Sequence, residues 1–417
     1  MKPLRTYWEL LRTQPRYISY GFVHFFFSSL GQTFLLGIFK PYWLESLALS
    51  NQQFGNYYAV ATVASATLLS WLGSQIDRFR LRSVSVTNGT LMLLFCAGAA
   101  YAAHPWLLVG VLFGLRLTGQ GMMILIGATG VARYFDTARG KALSLASLGL
   151  PAGEALLPPL LIATMSRGEW QNGWWVLGGL VVLVFMPLVP GLIARNDPFQ
   201  LPPAHKHQDS RTDASGEDAS YTRGQVLRDP LFYLLLPVGL FTPFFITGLV
   251  IHQNMIAAAK GWSPEVFAQA FAGYGVVRIL ANLMVGPLID RYRAWRVFLV
   301  SLFPMAGGLM LLATGQQTWV AWGFLMLAGL TASTSALANS ALWAELYGGR
   351  RLGSIKSMAA TLMVFSTAAA ASVTVPWFAS PERLHTTLWW AIAAILISSM
   401  AAAVGLYQRM RPRPSVV

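Results

Sequence analysis

The segments GSQIDRFR, residues 73–80, and GPLIDRYR, residues 286–293, share a Gly, an Ile, an Asp and two Arg at a separation of 213 residues. The same separation holds in a second region, where it relates Tyr134 to Tyr347, Gly140 to Gly353, Ser144 to Ser357 and Ala146 to Ala359. Chance similarity would not be expected to keep one register across two separated regions. The sequence therefore predicts a chain built from two related halves.

The composition places both halves in a membrane. Of the 417 residues, 55% are hydrophobic and only 11% are charged, whereas about a quarter of the residues of a soluble domain are charged. Apolar stretches long enough to cross a bilayer as helices recur along the whole chain. We predict an all-α membrane protein with twelve transmembrane helices in two pseudo-symmetric six-helix bundles, at residues 18–39, 52–74, 84–103, 105–132, 141–164, 172–194, 231–257, 265–288, 296–315, 318–343, 354–377 and 385–407.

The net charge of +14 is explained by orientation in the membrane rather than by nucleic-acid binding. Most of the 30 Lys and Arg fall at the two termini or in the loops after even-numbered spans. Only Lys40, Arg167, Lys260 and Arg383 fall on the opposite side. Because cytoplasmic loops carry such an excess of positive charge, we expect both termini in the cytoplasm. Anionic lipid is an expected partner of this basic side.

A polar stretch divides the chain. Residues 196–225 are rich in Pro, Asp, Ser and His and poor in large apolar residues, which is typical of a flexible linker. We predict an N-terminal bundle at 1–194, a cytoplasmic linker at 195–229 and a C-terminal bundle at 230–417. A six-plus-six repeat is typical of transporters that hold substrate between the halves near mid-membrane. A membrane-embedded sensor or a passive channel is the alternative from a different class.

The sequence predicts no enzymatic activity, no cofactor and no metal site. The single cysteine, Cys96, lies within the third span, so no intrachain disulfide or cysteine-rich metal site is possible. No phosphate-binding P-loop occurs, which argues against ATP hydrolysis as the source of energy.

The two related segments resemble the signature of the major facilitator superfamily, G-x-x-x-D-R-x-G-R-R, in the loop after the second helix of each half. Gly73, Asp77, Arg78 and Arg82 match it in the first half, and Gly286, Asp290 and Arg291 in the second. The second Gly of the signature is replaced by Arg80 and by Arg293. The resemblance covers essentially the whole chain. It implies a twelve-helix, alternating-access transporter of a bacterial inner membrane, and a monomer.

The signature also predicts a conformational latch. A Gly at a helix end allows close approach of a neighbouring helix, and the Asp can pair with a cation of the next loop. The candidates are Arg133 and Arg139 for Asp77, and Arg350 or Arg351 for Asp290. Such pairs would form in one conformation and break in the other. The alternative is that these charges are solvated loop residues.

Three ionisable residues lie near the middle of their spans: Arg116 in the fourth, Glu154 in the fifth and Arg278 in the eighth. Each costs roughly 2.5–3.5 kcal/mol on insertion scales when unpaired, so each is a functional hypothesis. The resemblance implies that these three helices line a central cavity.

Glu154 has two interpretations. Counting from the helix ends places Arg116 and Glu154 within roughly 6 Å of each other in height, at 1.5 Å per residue. They are then either a structural ion pair, or Glu154 takes up and releases a proton during transport while Arg116 modulates it. The residues favour neither interpretation over the other.

Arg278 has no obvious membrane carboxylate partner in the sequence and is a candidate to bind a planar anion through two parallel hydrogen bonds. Its counterpart at the offset of 213 is the uncharged Ser65, so the predicted site is asymmetric. Carriers of monocarboxylates and oxalate also place an Arg in the eighth helix, by resemblance. With Arg116 it heads the predicted substrate-binding residues, the others being Gln32, Gln120, Tyr274, Tyr57 and Asn282.

We therefore predict a secondary active transporter of a small organic anion, monocarboxylate-like, with proton coupling through Glu154. The alternative is a proton-driven exporter of lipophilic compounds. Exporters of this superfamily carry a glycine pattern in the fifth helix, and Gly140, Gly149 and Gly153 match its first three positions. The match then fails, because Glu154 stands where the pattern has Pro.

Overall fold

The structure is a computed structural model that describes residues 2–76, 79–135, 139–193, 221–348 and 352–410. After the N-terminal helix Lys2–Thr13, twelve long helical segments follow one another within these ranges. They are α1 Pro15–Ser46, α2 Asn51–Ile76, α3 Leu81–Ala100, α4 Pro105–Tyr134, α5 Arg139–Met165, α6 Gln171–Leu192, α7 Pro230–Ile251, α8 Glu265–Tyr292, α9 Ala294–Thr314, α10 Trp319–Tyr347, α11 Leu352–Val373 and α12 Pro381–Met410.

Ten of these segments are long and apolar enough to cross a membrane, counted over the described residues, and α2 and α11 fall outside that set. A helix satisfies its own backbone groups, which is what an apolar bilayer requires of a spanning segment. The predicted all-α membrane fold is confirmed.

The duplication reappears in the positions of helix ends. The helices α3 and α9 begin at Leu81 and Ala294. The helices α4 and α10 both end at a tyrosine of the related pair, Tyr134 and Tyr347. Each of these pairs has the separation of 213 that the sequence predicts. All of them lie at the end of the molecule that carries the repeated signature, which we call the signature end.

Several long segments are interrupted, and two of the interruptions meet at the centre of the molecule. A 3-10 turn at Ser28–Gly31 breaks α1, and a π-helical stretch at Arg116–Met123 lies within α4. The two irregular stretches pack against each other. A Cβ on Gly31 would lie 2.1 Å from the carbonyl oxygen of Leu115, so only glycine permits this approach. Irregular turns of this kind are frequent at functional sites.

The two halves meet along three helix pairs: α5 with α8, α2 with α11, and α1 with α7. A Cβ on Gly275 of α8 would lie 2.4 Å from the carbonyl oxygen of Pro151 in α5. The backbones of α5 and α8 therefore nearly touch at mid-span. Packing of small residues against a facing backbone is a common way to join helices in lipid.

The end opposite the signature end is closed by contacts between the halves. Lys40 of α1 donates to Nδ1 of His252 at 2.6 Å, and Nε2 of His252 lies 3.0 Å from the carbonyl oxygen of Ala371. Both side chains are almost fully buried. In addition, Asn254 donates to the carbonyl oxygen of Gly37 at 3.1 Å. Elements from both halves are thus tied together at this end.

Candidate functional site

A cavity of about 450 Å³ lies between the two halves, within the range of roughly 300–1,000 Å³ usual for small-molecule sites. The first half contributes residues from α1, α4 and α5, and the second half from α7, α8, α10 and α11. The lining reaches Trp343 and Lys356 near the signature end and Val250 in the other direction. The cavity therefore extends from mid-span toward the signature end.

An ion pair between the halves lies in the cavity wall. Nη1 of Arg278 in α8 donates to Oε1 of Glu154 in α5. The register of the two helices explains the contact. A Cβ on Gly275 would lie 2.4 Å from the carbonyl oxygen of Pro151 and 2.6 Å from the backbone nitrogen of Ala155, so Gly275 packs against the turn of α5 that contains Glu154. Arg278 follows Gly275 by three residues, on the same face of α8. The close approach thus brings the carboxylate and the guanidinium together.

The predicted ion pair between Arg116 and Glu154 does not form in the structure. Arg116 is 3% exposed, but it points toward α1 and α2, where its guanidinium carbon lies 4.9 Å from the ring centre of Tyr58. Its Nη1 donates to Oγ1 of Thr33 at 3.4 Å, and Thr33 in turn lies 2.6 Å from the Tyr58 hydroxyl. Similar height in the membrane did not bring the two charges together, because height says nothing about which face of a helix a side chain occupies.

The Glu154 and Arg278 pair keeps hydrogen-bonding capacity. Within the described part of the chain, Oε2 of Glu154 and Nε of Arg278 are buried without a hydrogen-bond partner. The ring centre of Tyr274 lies 5.5 Å from the guanidinium carbon of Arg278. A guanidinium presents five donors in a planar fork and a carboxylate accepts two parallel bonds. The pair therefore offers both a donor and an acceptor to a polar ligand.

Four predicted substrate-binding residues line the cavity together: Arg278, Tyr274, Gln32 and Gln120. The two glutamines come from the irregular stretches of α1 and α4. Gln32 has extended backbone, with φ −83° and ψ 152°, where the 3-10 turn ends, and Gln120 lies in the π-helical stretch. The broken helices thus present polar side chains to the cavity that the pair also lines.

Three other predicted binding residues are not among those that line the cavity. Arg116 lies behind Thr33, as described above. Tyr57 packs 6.3 Å from Trp106, measured between ring centres, and Asn282 is half-buried on α8 one turn beyond Arg278. The structure does not bring these side chains to the cavity.

The cavity lining also contains residues outside the predicted substrate-binding set. Lys356 on α11 lines the cavity, together with Asn339 and Trp343, one turn apart on α10. Lys356 follows the tenth span and was counted only as part of the basic loops. The spacing of Ser335, Asn339 and Trp343 at every fourth position of α10 is the one signal in the sequence that these residues share a face.

The predicted latch is described only in part. Asp77, Arg78 and Arg350 lie outside the described residues. Arg133 donates to the carbonyl oxygen of Ile76 at 3.2 Å, which places it beside the end of α2. Gly73 lies near the end of α2, Arg139 is exposed at the start of α5, and Gly286, Asp290 and Arg291 lie in the last two turns of α8.

In the second half, the signature loop is held by a contact that the sequence did not predict. Nε of Arg293 lies 3.0 Å from Oε1 of Glu345 on α10. Arg293 has φ 71° and ψ 149°, a backbone conformation that glycine adopts without strain and other residues rarely adopt. Arg80 at the equivalent position has ordinary extended backbone, with φ −67°. The two copies of the signature therefore turn differently.

Two of the three glycines that match the exporter pattern are accounted for by packing. A Cβ on Gly149 would lie 2.1 Å from the carbonyl oxygen of Phe22, and one on Gly153 would lie 2.1 Å from Oγ of Ser29. Gly140 has open space around it. Gly149 and Gly153 let α5 approach α1 closely, so their spacing does not require an exporter.

Comparison with known proteins places this geometry in a family. The model of the Major Facilitator Superfamily matches residues 21–253, more than half of the chain. The 3-(3-hydroxy-phenyl)propionate transporter of Escherichia coli is 24% identical over 309 residues, 70% of this chain and 68% of that protein. Monocarboxylate transporter 3 of Mus musculus is 28% identical over 172 residues, 39% of this chain and 31% of that protein.

Among solved structures, a bacterial homologue of the human lysosomal transporter Spinster, in an inward-facing and unoccupied conformation, has a TM-score of 0.71. It covers 97% of this chain and all of that chain, at 12% sequence identity. At this identity the likeness shows a common fold only.

Proposed function

The chain belongs to the Major Facilitator Superfamily, and on that premise we propose that it carries a small, monocarboxylate-like organic anion across the membrane together with protons. That it is a multi-pass membrane transporter, and not an enzyme, follows from the family. The observation that carries the finer proposal is the buried Glu154 and Arg278 pair in the cavity between the halves.

The pair couples anion and proton by competition. A substrate carboxylate and the Glu154 carboxylate seek the same donors of Arg278. While Glu154 is ionised it holds the guanidinium, and protonation of Glu154 removes that competitor. An anion then binds Arg278 through its planar fork. When the anion leaves, Glu154 releases its proton and the pair closes again. One proton therefore accompanies each anion.

This exchange also keeps the charge of the site balanced. A buried charge without a partner costs several kcal/mol. In the empty site Arg278 is neutralised by Glu154, and in the loaded site it is neutralised by the substrate. A site with a bound anion and an ionised Glu154 would carry two negative charges against one guanidinium, and is disfavoured. Two similar proteins are named for 3-(3-hydroxy-phenyl)propionate and for monocarboxylates, which supports the same substrate class.

Alternating access follows from the same arrangement. We place both termini and the signature end in the cytoplasm of a bacterial inner membrane, with a monomer of two bundles at 1–194 and 230–417 joined by the linker at 195–229. The cavity then faces the cytoplasm and the contacts of Lys40 and His252 close the outer end. When the molecule opens outward, the latch forms at the cytoplasmic end. Its residues are Gly73, Asp77, Arg78, Arg133 and Arg139 in the first half and Gly286, Asp290, Arg291 and Arg350 in the second.

The experiment is thermal unfolding of the purified protein with small carboxylates, inorganic anions and lipophilic cations, at an acidic and a near-neutral pH. A ligand that binds only the folded state raises the melting temperature. We expect stabilisation by a monocarboxylate, stronger at the acidic pH and absent in Arg278→Ala. Saturable counterflow of that anion in proteoliposomes distinguishes a carrier from a sensor or a channel.

Stabilisation by lipophilic cations instead, lost in Glu154→Gln, would replace this proposal with the exporter. Glu154 would then be the counter-ion of the substrate.

A further inference from the structure

The part of the cavity near the signature end contains a second polar cluster, formed by Asn339, Trp343 and Lys356. All three line the cavity. Oδ1 of Asn339 and Nε1 of Trp343 are buried without a hydrogen-bond partner among the described residues, and Trp343 is 3% exposed. Lys356 is half-buried and forms no ion pair within the described ranges. We call these three residues the distal cluster.

The distal cluster is separated from the ion pair by a definite length of helix. Arg278 packs against α10 between Gly329 and Ser333. The hydroxyl of Ser333 donates to the carbonyl oxygen of Arg278 at 3.4 Å. Asn339 and Trp343 lie six and ten residues further along α10. At 1.5 Å per residue, these positions are roughly 9 Å and 15 Å from Ser333 along the helix axis.

The wall between the two polar regions is mainly small and apolar. On α10 it contains Ala336, and on α11 the residues that follow Lys356 into the cavity are Ala359, Ala360 and Met363. Two polar side chains in this part, Thr242 and Ser335, lie 3.3 Å apart and hydrogen-bond to each other. The cavity is therefore polar at both ends and predominantly apolar between them.

The chemistry of the distal cluster selects an oxygen that accepts hydrogen bonds. The ammonium of Lys356 and the indole N–H of Trp343 only donate, and the amide of Asn339 can turn either its oxygen or its nitrogen to a ligand. Of the three charged side chains among the described lining residues, Glu154 and Arg278 neutralise each other. Lys356 leaves the lining with a net positive charge, which favours an anionic oxygen.

Resting on the proposed exchange of a carboxylate at Arg278, we propose that the preferred substrate extends that monocarboxylate by a second anionic oxygen at its far end, of which an elongated dicarboxylate is the simplest case. One carboxylate binds Arg278 when Glu154 is protonated, and the other binds the distal cluster. The apolar wall contacts the chain between them. Lys356 thus determines specificity for the far end of the substrate and takes no part in the exchange of the proton.

The test compares matched acids of equal chain length, hexanoate with adipate and octanoate with suberate, by binding to the purified protein at an acidic pH. In the wild type we expect each diacid to bind about tenfold or more tightly than its monoacid, since its second carboxylate adds a hydrogen bond between charged groups. In Lys356→Met that advantage should disappear, and the affinity for the monoacids should stay within about twofold.

Two variants act as controls. Lys356→Arg keeps the charge and should keep most of the preference for diacids. Arg296→Met removes an exposed cation near the same end, outside the cavity, and should change neither affinity. If Lys356→Met loses affinity for the monoacid and the diacid to the same degree, while Arg296→Met keeps both affinities, the distal site is overturned. Lys356 would then attract any anion rather than the second carboxylate.

The two proposals fail in different ways. If the wild type binds monoacids and diacids equally and Lys356→Met changes nothing, the distal site is wrong and the proposed function stands. If the wild type binds no carboxylate at either pH, the proposed function itself is overturned.

Discussion

Arg116 and Arg278 are both arginines inside membrane helices, and both lie over a tyrosine ring, at 4.9 Å from Tyr58 and 5.5 Å from Tyr274. Their environments otherwise differ. Arg278 has a carboxylate partner from the other half and lines the cavity, whereas Arg116 contacts Thr33 and Tyr58 of its own half. Under the proposed function, the comparison teaches that a buried cation at the interface between the halves is placed for binding. A buried cation within one bundle stabilises that bundle.

The largest expected effect is that of Arg278→Ala. This variant removes the donor fork and leaves Glu154 buried without its cation, so we expect carboxylate affinity to fall about 100-fold or more. Binding to the purified protein measures it. Because an unpaired carboxylate can impair folding, the double variant Glu154→Gln with Arg278→Gln serves as a folded control that still does not bind. If a folded Arg278→Ala variant binds carboxylates as tightly as the wild type, Arg278 is not the anion site.

A smaller but more specific effect is expected of Glu154→Gln. The wild type should bind anions more tightly as the pH falls, because protonation of Glu154 releases Arg278. Glutamine mimics the protonated acid, so the variant should bind equally at acidic and near-neutral pH and lose pH-driven accumulation. Exchange of anion for anion should remain. If accumulation in proteoliposomes still follows the pH gradient, another group carries the proton.

Variants of the Arg116 site should change stability and leave binding unaltered. Tyr58→Leu leaves a buried guanidinium without its aromatic partner and should cost about 2 kcal/mol, the usual strength of a desolvated cation–π contact. Arg116→Met removes the charge together with the need for that partner, so it should lower the melting temperature less than Tyr58→Leu does.

Ligand affinity should stay within about twofold in both variants, as for residues outside a binding interface. A loss of binding comparable to that of Arg278→Ala would return Arg116 to the substrate site, as its sequence pattern predicts.

The smallest effect distinguishes the two signature loops. Glycine at position 293 would relieve a backbone conformation that costs about 1–3 kcal/mol, while the exposed pair with Glu345 contributes about 0–1 kcal/mol. Arg293→Gly should therefore stabilise the protein slightly. Arg80→Gly, at ordinary backbone angles, should destabilise it by about 0.5–1 kcal/mol. Thermal unfolding of the two variants gives the sign of each change in stability. If both variants shift the melting temperature in the same direction, the two loops do not differ in backbone strain.

Much of the fold could be predicted from the sequence because its signals are local or repeated. Hydrophobic length predicts spans, and the separation of 213 residues predicts which helix ends correspond, as the pair Tyr134 and Tyr347 illustrates. The candidate site was predicted only in part. Glu154 and Arg278 were both identified as unusual charges, yet their pairing was not, since the residues gave no reason to prefer α8 over α4 as the partner of α5.

The sequence by itself determined that this protein is a duplicated membrane helix bundle with a carboxylate and two arginines inside the spans. It did so because burying a charge in lipid is costly, and because a long apolar segment is stable in a bilayer as a helix that satisfies its own backbone hydrogen bonds. Only the tertiary structure decided which charges meet. The approach of Gly275 to Pro151 turns Glu154 toward Arg278, and the meeting of α10 with α11 brings Lys356 to the cavity. Contacts between distant segments depend on helix rotation and packing, which no local pattern records.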